Sequence, residues 1–305
     1  MESSQQSGAG VQKLLIGSIA TLALMAGAAN AADMPLKAPP PAVPQCVVND
    51  IVRANNQVSL DFTETSLWYG PEIVGPEPPI SPPPPVGVPL DSESGNLPGL
   101  QVTGSAMASI GPICNLYISG SFSWSHGNTS YVAFDFPSLI NHATVEDWDF
   151  RLGKGFNVGP NGMITPYFGA GTNWWNRVLT GPSGYDEIYK HAYAGAGLLL
   201  QYSPGPGWVL SADGLVGSTF SASQVSSLTP GGATGIRVCT FPLGNAVTYM
   251  AEGSVDYAIT EHVHANVGVE YTYFQYRQSP PVNDFIEPNS KTSYLTGAVG
   301  LGYHW

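Results

Sequence analysis

The chain has 305 residues, 43% of them hydrophobic but only 10% charged, against about 25% charged in an average soluble protein. That deficit argues against an ordinary cytosolic enzyme, and the 11% aromatic content argues against disorder. Ten Lys and Arg stand against 22 Asp and Glu, a net charge of -12, so the clustered positive charge of a nucleic-acid surface is missing and no nucleic acid is expected as partner.

At the N-terminus, Lys13 precedes an apolar run from Leu14 to Ala26, and Ala29-Asn30-Ala31 supplies small residues for a signal peptidase. A cleaved signal peptide is expected over 1–31, since the run is shorter than the roughly 20 residues of a spanning helix. Without a Cys at the cleavage point, no lipid anchor is expected there. Residues 32–57 read as a Pro-rich periplasmic leader, extended and without a core of its own over Asp33 to Pro44.

Beyond the leader, apolar and polar residues alternate with the period of a strand. Val263, Ala265, Val267, Val269, Tyr271 and Tyr273 share one face, opposite His262, His264, Asn266, Gly268, Glu270 and Thr272. The same division gives ten strands: Val58 to Tyr69, Gly99 to Gly111, Asn115 to Ser125, Thr144 to Val158, Met163 to Trp175, Ile188 to Ser203, Trp208 to Phe220, Ala246 to Ile259, His262 to Tyr276 and Lys291 to Trp305. The connections alternate. Four are tiny (Pro112 to Cys114, Gly159 to Gly162, Pro204 to Gly207, Thr260 with Glu261), and five are long (Pro71 to Pro98, Gly127 to Ala143, Asn176 to Glu187, Ser221 to Asn245, Arg277 to Ser290). Short turns on one side and long loops on the other is the layout of a transmembrane β-barrel, its short turns periplasmic. Closure is required because hydrocarbon offers no partner to an open sheet edge.

The expected fold is therefore all-β, a closed antiparallel transmembrane β-barrel over 58–305 of about ten strands, with eight or twelve as alternatives. A secreted β-sandwich also alternates but leaves the loop rhythm unexplained. Trp68, Trp124, Trp148, Trp174, Trp208 and Trp305 fall near strand ends, as interfacial indoles do. Two places fit badly: alternation fails from Glu64 to Leu67, and Pro166 removes a ladder donor.

The leader Ala32-Asp33-Met34-Pro35-Leu36-Lys37-Ala38-Pro39-Pro40, the segment Thr165-Pro166-Tyr167-Phe168-Gly169-Ala170-Gly171 and the ending Gly297-Ala298-Val299-Gly300-Leu301-Gly302-Tyr303-His304-Trp305 resemble small, porin-like outer-membrane β-barrel proteins of Gram-negative bacteria. The resemblance covers most of the mature chain. It implies the cell outer membrane as location, outer-membrane lipid and the barrel assembly machinery as partners, and Leu301, Tyr303 and Trp305 as the assembly signal. A terminal Trp in place of Phe, and the Pro-rich insertion after the first strand, depart from the common pattern.

Phosphate-loop, esterase-elbow and zincin motifs are absent from the sequence, and no catalytic residue or cofactor is assigned. Gly195 and Gly197 read as small residues that let the wall curve or the interior fill. Asp61, Asp147, Asp149, Asp213, Glu252, Asp256 and Glu270 are expected to face inward toward Arg151, Lys190 and the histidines, as a salt-bridged filling. Ten strands enclose less than the 16 to 18 of an aqueous porin, so the expected role is structural or surface-interacting, with an extracellular ligand at the outer loops. A narrow pore for small solutes is one alternative. The other is an omptin-like protease, drawing on Asp186 and His191 atop the sixth strand and His142, Glu146 and Asp147 atop the fourth. The Pro71 to Pro98 loop, with ten prolines in 28 residues and no Lys or Arg, reads as stiff and acidic, fit to cover the mouth or to present a polyproline surface. His262, His264 and His304 could converge at the inner mouth as a metal site for zinc or copper. Cys46 and Cys114 both fall on the periplasmic side and are expected to form a disulfide; Cys239, in the fourth long loop, lies a membrane thickness away, beyond bridging reach.

Overall fold

A computed structural model describes residues 46, 48–70, 91–133, 136–180, 184–228, 237–283 and 286–305. The expected signal peptide, the expected leader up to residue 45 and residues 71–90 of the Pro-rich segment lie outside the described residues. The elements are α1 (Asp50–Ala54), β1 (Gln57–Tyr69), β2 (Asp91–Ile110), β3 (Ile113–Ala133), β4 (Phe136–Lys154), β5 (Phe156–Val158), β6 (Gly162–Leu179), β7 (Asp186–Gly205), β8 (Trp208–Leu228), β9 (Arg237–Pro242), β10 (Val247–Ala258), β11 (Val263–Tyr276) and β12 (Ser290–His304).

Ten long strands pair with their chain neighbours, all antiparallel. Two pairings close the ring: β12 with β1, in register from His304 opposite Gln57 to Thr292 opposite Tyr69, and β8 with β10. β5 continues β4 past Gly155, and β9 pairs only with the outer end of β8. Pro166 is tolerated because the ladder on its β4–β5 side is interrupted between Lys154 and Phe156, where its missing N–H is not called upon. Three of the short turns are closed by glycines in the left-handed region, Gly111, Gly159 and Gly207.

Side chains sort by parity. Val58, Leu60, Phe62, Val102, Leu152, Phe168, Leu200, Val216, Val267, Val299 and Leu301 stand exposed on the outside, the inversion that hydrocarbon demands. Tyr202, Trp208, Tyr257, Tyr303 and Trp305 mark the short-turn edge of this band; Trp68, Trp124 and Trp174 mark the other. Trp148 departs from the expected girdle: it stands mid-strand in β4, packed at a tilt against Phe122 with 4.5 Å between ring centroids.

The strands outrun the band. β8 has 21 residues; at roughly 3.3 Å per residue and a tilt near 40° it rises about 50 Å, twice the roughly 25 Å apolar height. Four of the five expected long loops thus lie partly in strands, over several residues each. Residues 91–98, assigned to the Pro-rich loop, belong to β2, and from Gly127 to Ala143 the described residues belong to the paired strands β3 and β4. The leader also ends differently, because residues 50–54 form α1 and Gln57 already lies in β1. Where alternation fails in β1, Glu64 and Ser66 face outward while Leu67 and Tyr69 turn into an apolar interior layer.

Candidate functional site

The barrel interior is filled in layers. At the short-turn end sits α1, capped by Asn49, whose Oδ1 accepts from Val52 N at 3.0 Å. Its Ile51, Val52 and Ala54 pack against Met107, Tyr117, Met163, Leu199, Val209 and Leu215. Asn55 donates to Gln201 at 2.6 Å and Asn56 donates to Met107 O at 3.1 Å, fixing the helix to the wall. Cys46 is joined to Cys114, the second residue of β3, across 68 positions of sequence.

Above α1 lies a chamber of about 240 Å³ lined by hydroxyls and carboxylates. Arg151 is its hub. It donates to Asp149 at 2.6 Å and to Asp213, stands 3.9 Å from Glu252, and covers the Tyr167 ring. Tyr193 donates to Asp149 at 2.9 Å, Asn173 to Asp147 at 2.7 Å, Ser59 to Asp61 at 2.9 Å and Thr272 to Glu270 at 2.9 Å. The inward carboxylates are placed as expected, whereas Lys190 is exposed and faces outward. Gly197 leaves room for Tyr167, since a Cβ there would overlap the phenol ring.

An aromatic layer follows, built from Leu67, Tyr69, Leu97, Trp175, Tyr189, Phe241, Phe274, Tyr276 and Tyr294. Its rings pack at separations of 5.3 to 6.3 Å, from Trp175–Tyr189 to Tyr69–Tyr189. Cys239 lies buried in this layer on β9, not in a loop.

Beyond the membrane band, the extended ends of β2, β3, β4, β6, β7 and β8 form a cup with Arg177 at its centre. The guanidinium meets Glu93 at 2.8 Å and Glu187 at 3.0 Å, ringed by Tyr69, Tyr131, Trp175 and Tyr189. Asn141 donates to Glu93 at 2.7 Å, Gln224 to Glu187 at 2.8 Å, and Tyr131 to Asp91 at 2.9 Å. Tyr189 donates to Glu287, which lies between β11 and β12. Burial pushes the Glu187 carboxyl up to about 7 although Arg177 opposes the rise, and pushes Glu287 up to about 8 with Glu187 adding to it. The sequence reading missed this cluster by placing Glu93, Arg177 and Glu187 in loops. Parity was the available signal: Arg177 continues the face of Trp175 and Asn173, and Glu187 that of Tyr189 and His191.

Other expected groupings are not brought together. His264 bonds Asp256 at 2.6 Å, and His304 donates to Asn56 O at 2.7 Å, with 5.8 Å between these two rings. His262, however, is exposed and stacks on outward-facing Tyr303. The turn before β11 rotates it off the face of His264, and among the described residues no three His, Cys, Asp or Glu side chains gather as metal ligands. Of the rim candidates, His191 is buried against Phe274 and bonds Tyr276 at 2.8 Å, whereas Asp186 is exposed five positions away on the opposite face. His142 bonds Asn128 on the outer surface, Glu146 faces outward, and Asp147 faces inward. These five residues therefore form no acid–base couple with one another.

This is the fold of a small outer-membrane β-barrel. The closed ring, apolar belt and aromatic edges place the chain in the outer membrane. No family model matches the sequence, and no curated protein matches it. Among solved structures, the outer-membrane protease OmpT of Escherichia coli aligns with a TM-score of 0.57 at 9% identity, over 82% of this chain and 95% of that one. The translocator domain of the autotransporter NalP of Neisseria meningitidis aligns at 0.37 and 11% identity, covering 84% and 91%. OprG of Pseudomonas aeruginosa aligns at 0.32 and 10% identity, covering 83% and 99%. The likeness is one of fold.

Proposed function

We propose that this barrel is a plugged, non-conducting outer-membrane protein whose outward extension serves a surface-interaction role. The carrying observation is the pair of fillings at opposite ends of one lumen: α1 beneath the polar chamber and the aromatic layer above it. Strands twice as long as the band requires then lift a rigid, acidic cup clear of the membrane, where an extracellular ligand can reach it. Outer-membrane lipid contacts the belt, and the outward stripe Leu301, Tyr303 and Trp305 is the surface assigned to the barrel assembly machinery. The test is single-channel recording of the refolded full chain in planar bilayers, run beside cleavage assays on basic peptides with His191→Ala as control. Flat current and intact peptides are expected. Conductance steps turn the reading into a pore, and cleavage that His191→Ala abolishes turns it into a protease.

A further inference from the structure

Near the short-turn mouth, one buried acceptor is left without a donor. Gln57 donates through Nε2 to Ala54 O at 2.8 Å and to Asp256 Oδ2 at 3.0 Å. These bonds fix the amide, and its Oε1 is buried with no hydrogen-bond partner among the described residues, an arrangement that is costly unless a ligand meets it. The oxygen lies over Gly302, where any Cβ would overlap it. Gly302 stands opposite His264 on β11, while Gln57 on β1 stands opposite His304. The amide thus reaches one inward-facing position along β12, from His304 to Gly302, and the unmet oxygen lies between the two histidines.

Both rings are held by Nδ1. His264 donates from Nδ1 to Asp256 Oδ1 at 2.6 Å, and His304 donates from Nδ1 to Asn56 O at 2.7 Å. A proton on Nδ1 leaves the lone pair of the neutral ring on Nε2, and a carboxylate or backbone carbonyl on Nδ1 is the usual support of a metal-binding histidine. Asp256 supports His264 in this way and also orients Gln57. The two ring centroids are 5.8 Å apart. With metal–nitrogen bonds of about 2.1 Å, imidazoles that share one ion have centroids within about 6.4 Å of each other, so this spacing permits a shared ion. Entry is from the short-turn side, where His304 and Asn56 line a cavity of about 450 Å³. We propose that His264 Nε2, His304 Nε2 and Gln57 Oε1 bind one late first-row divalent cation, Zn²⁺ or Cu²⁺, with water completing its coordination. Imidazole nitrogens select such ions over Mg²⁺ and Ca²⁺, which take oxygen donors. The ion ties β1, β11 and β12 together across the seam where the last strand meets the first.

The test is calorimetric titration of the tag-free, refolded full chain in detergent with Zn²⁺ and with Cu²⁺, Mg²⁺ serving as the comparison ion. One Zn²⁺ or Cu²⁺ per barrel and no saturable Mg²⁺ site are expected. Paramagnetic resonance of the Cu²⁺ form should show hyperfine coupling to two imidazole nitrogens. His264→Ala and His304→Ala should each abolish saturable binding, with heat-modifiable migration verifying that the variants fold. Asp256→Asn should weaken binding about 10–100-fold, as loss of a supporting carboxylate does. Gly302→Ala keeps both histidines but displaces Gln57 Oε1, and should weaken binding about tenfold, the scale of one lost contact. His262→Ala, at an exposed position outside the set, should bind as wild type does. No saturable binding by wild type, a copper spectrum with fewer than two imidazole nitrogens, or loss of binding in His262→Ala overturns the proposal, and the two wild-type measurements decide it even where a variant fails to fold.

Discussion

Replacing Arg177 by Met leaves a side chain of similar length but removes the charge between Glu93 and Glu187. The side chains of Arg177, Glu93 and Glu187 are 1%, 0% and 9% exposed, so water cannot replace the lost partner. Removing one member of a buried pair costs about 3–5 kcal/mol, and the four rings around the guanidinium lose a cation as well. The loss should be largest in the cup, at the outer ends of β2, β6 and β7, with the membrane-embedded ladder protected. Urea unfolding in detergent micelles gives the total, and hydrogen exchange resolved by peptide gives the location. Adding Glu93→Gln and Glu187→Gln to Arg177→Met should recover much of the deficit, because a neutral set of similar shape has no stranded charge. A cost below about 1 kcal/mol, the range of exposed pairs, or no recovery in the triple variant, refutes this account of the cup.

Non-reducing peptide mapping should find Cys46 linked to Cys114 and Cys239 as a free thiol; Cys114→Ser should expose the chain before Asp50 to protease while the barrel stays folded, removing at most about 4 kcal/mol of constraint on the unfolded chain. The cup should also respond to pH. Burial raises Glu187 to about 7 and Glu287 to about 8 from 4.5, so the folded cup holds protons the unfolded chain has released. Its stability is greatest below about pH 4.5 and is lost as pH rises through about 7 and about 8. Exchange protection of residues 277–283 and 286–289 should fall over that window, and Glu287→Gln should flatten the upper part; a pH-independent profile in wild type counts against the buried acids. Finally, Gly197→Ala should displace Tyr167 from Asp213 and cost about 1–3 kcal/mol by overpacking, measured against Ala196→Gly on the outward face.

The barrel was legible in the sequence within the membrane band because two solvents act on one strand there. Hydrocarbon requires Val267, Val269 and Tyr271 on one face while the polar chamber accepts Asn266 and Glu270 on the other, so a period of two is imposed from both sides. The short turns fixed the strand count for the same reason: each hairpin must return within a few residues, and Gly111, Gly159 and Gly207 mark three of those turns. Beyond the band the outer solvent becomes water. Ser92, Ser94 and Asn96 on β2, or His126, Asn128 and Ser130 on β3, then carry no apolar signal, and strands that continue for several residues read as loops. Inside, aromatic residues replace polar ones in the outer layer, which reverses the pattern at Leu67, Tyr69, Trp175 and Tyr189. The disulfide needed only the side of the membrane on which each Cys falls. Tertiary structure alone decided that a five-residue helix sits in the short-turn mouth, that His262 turns away from His264, and that Arg177 lies between carboxylates from β2 and β7. Those contacts depend on closure and shear of the ring, which set strands from distant parts of the chain side by side at heights that no local pattern encodes.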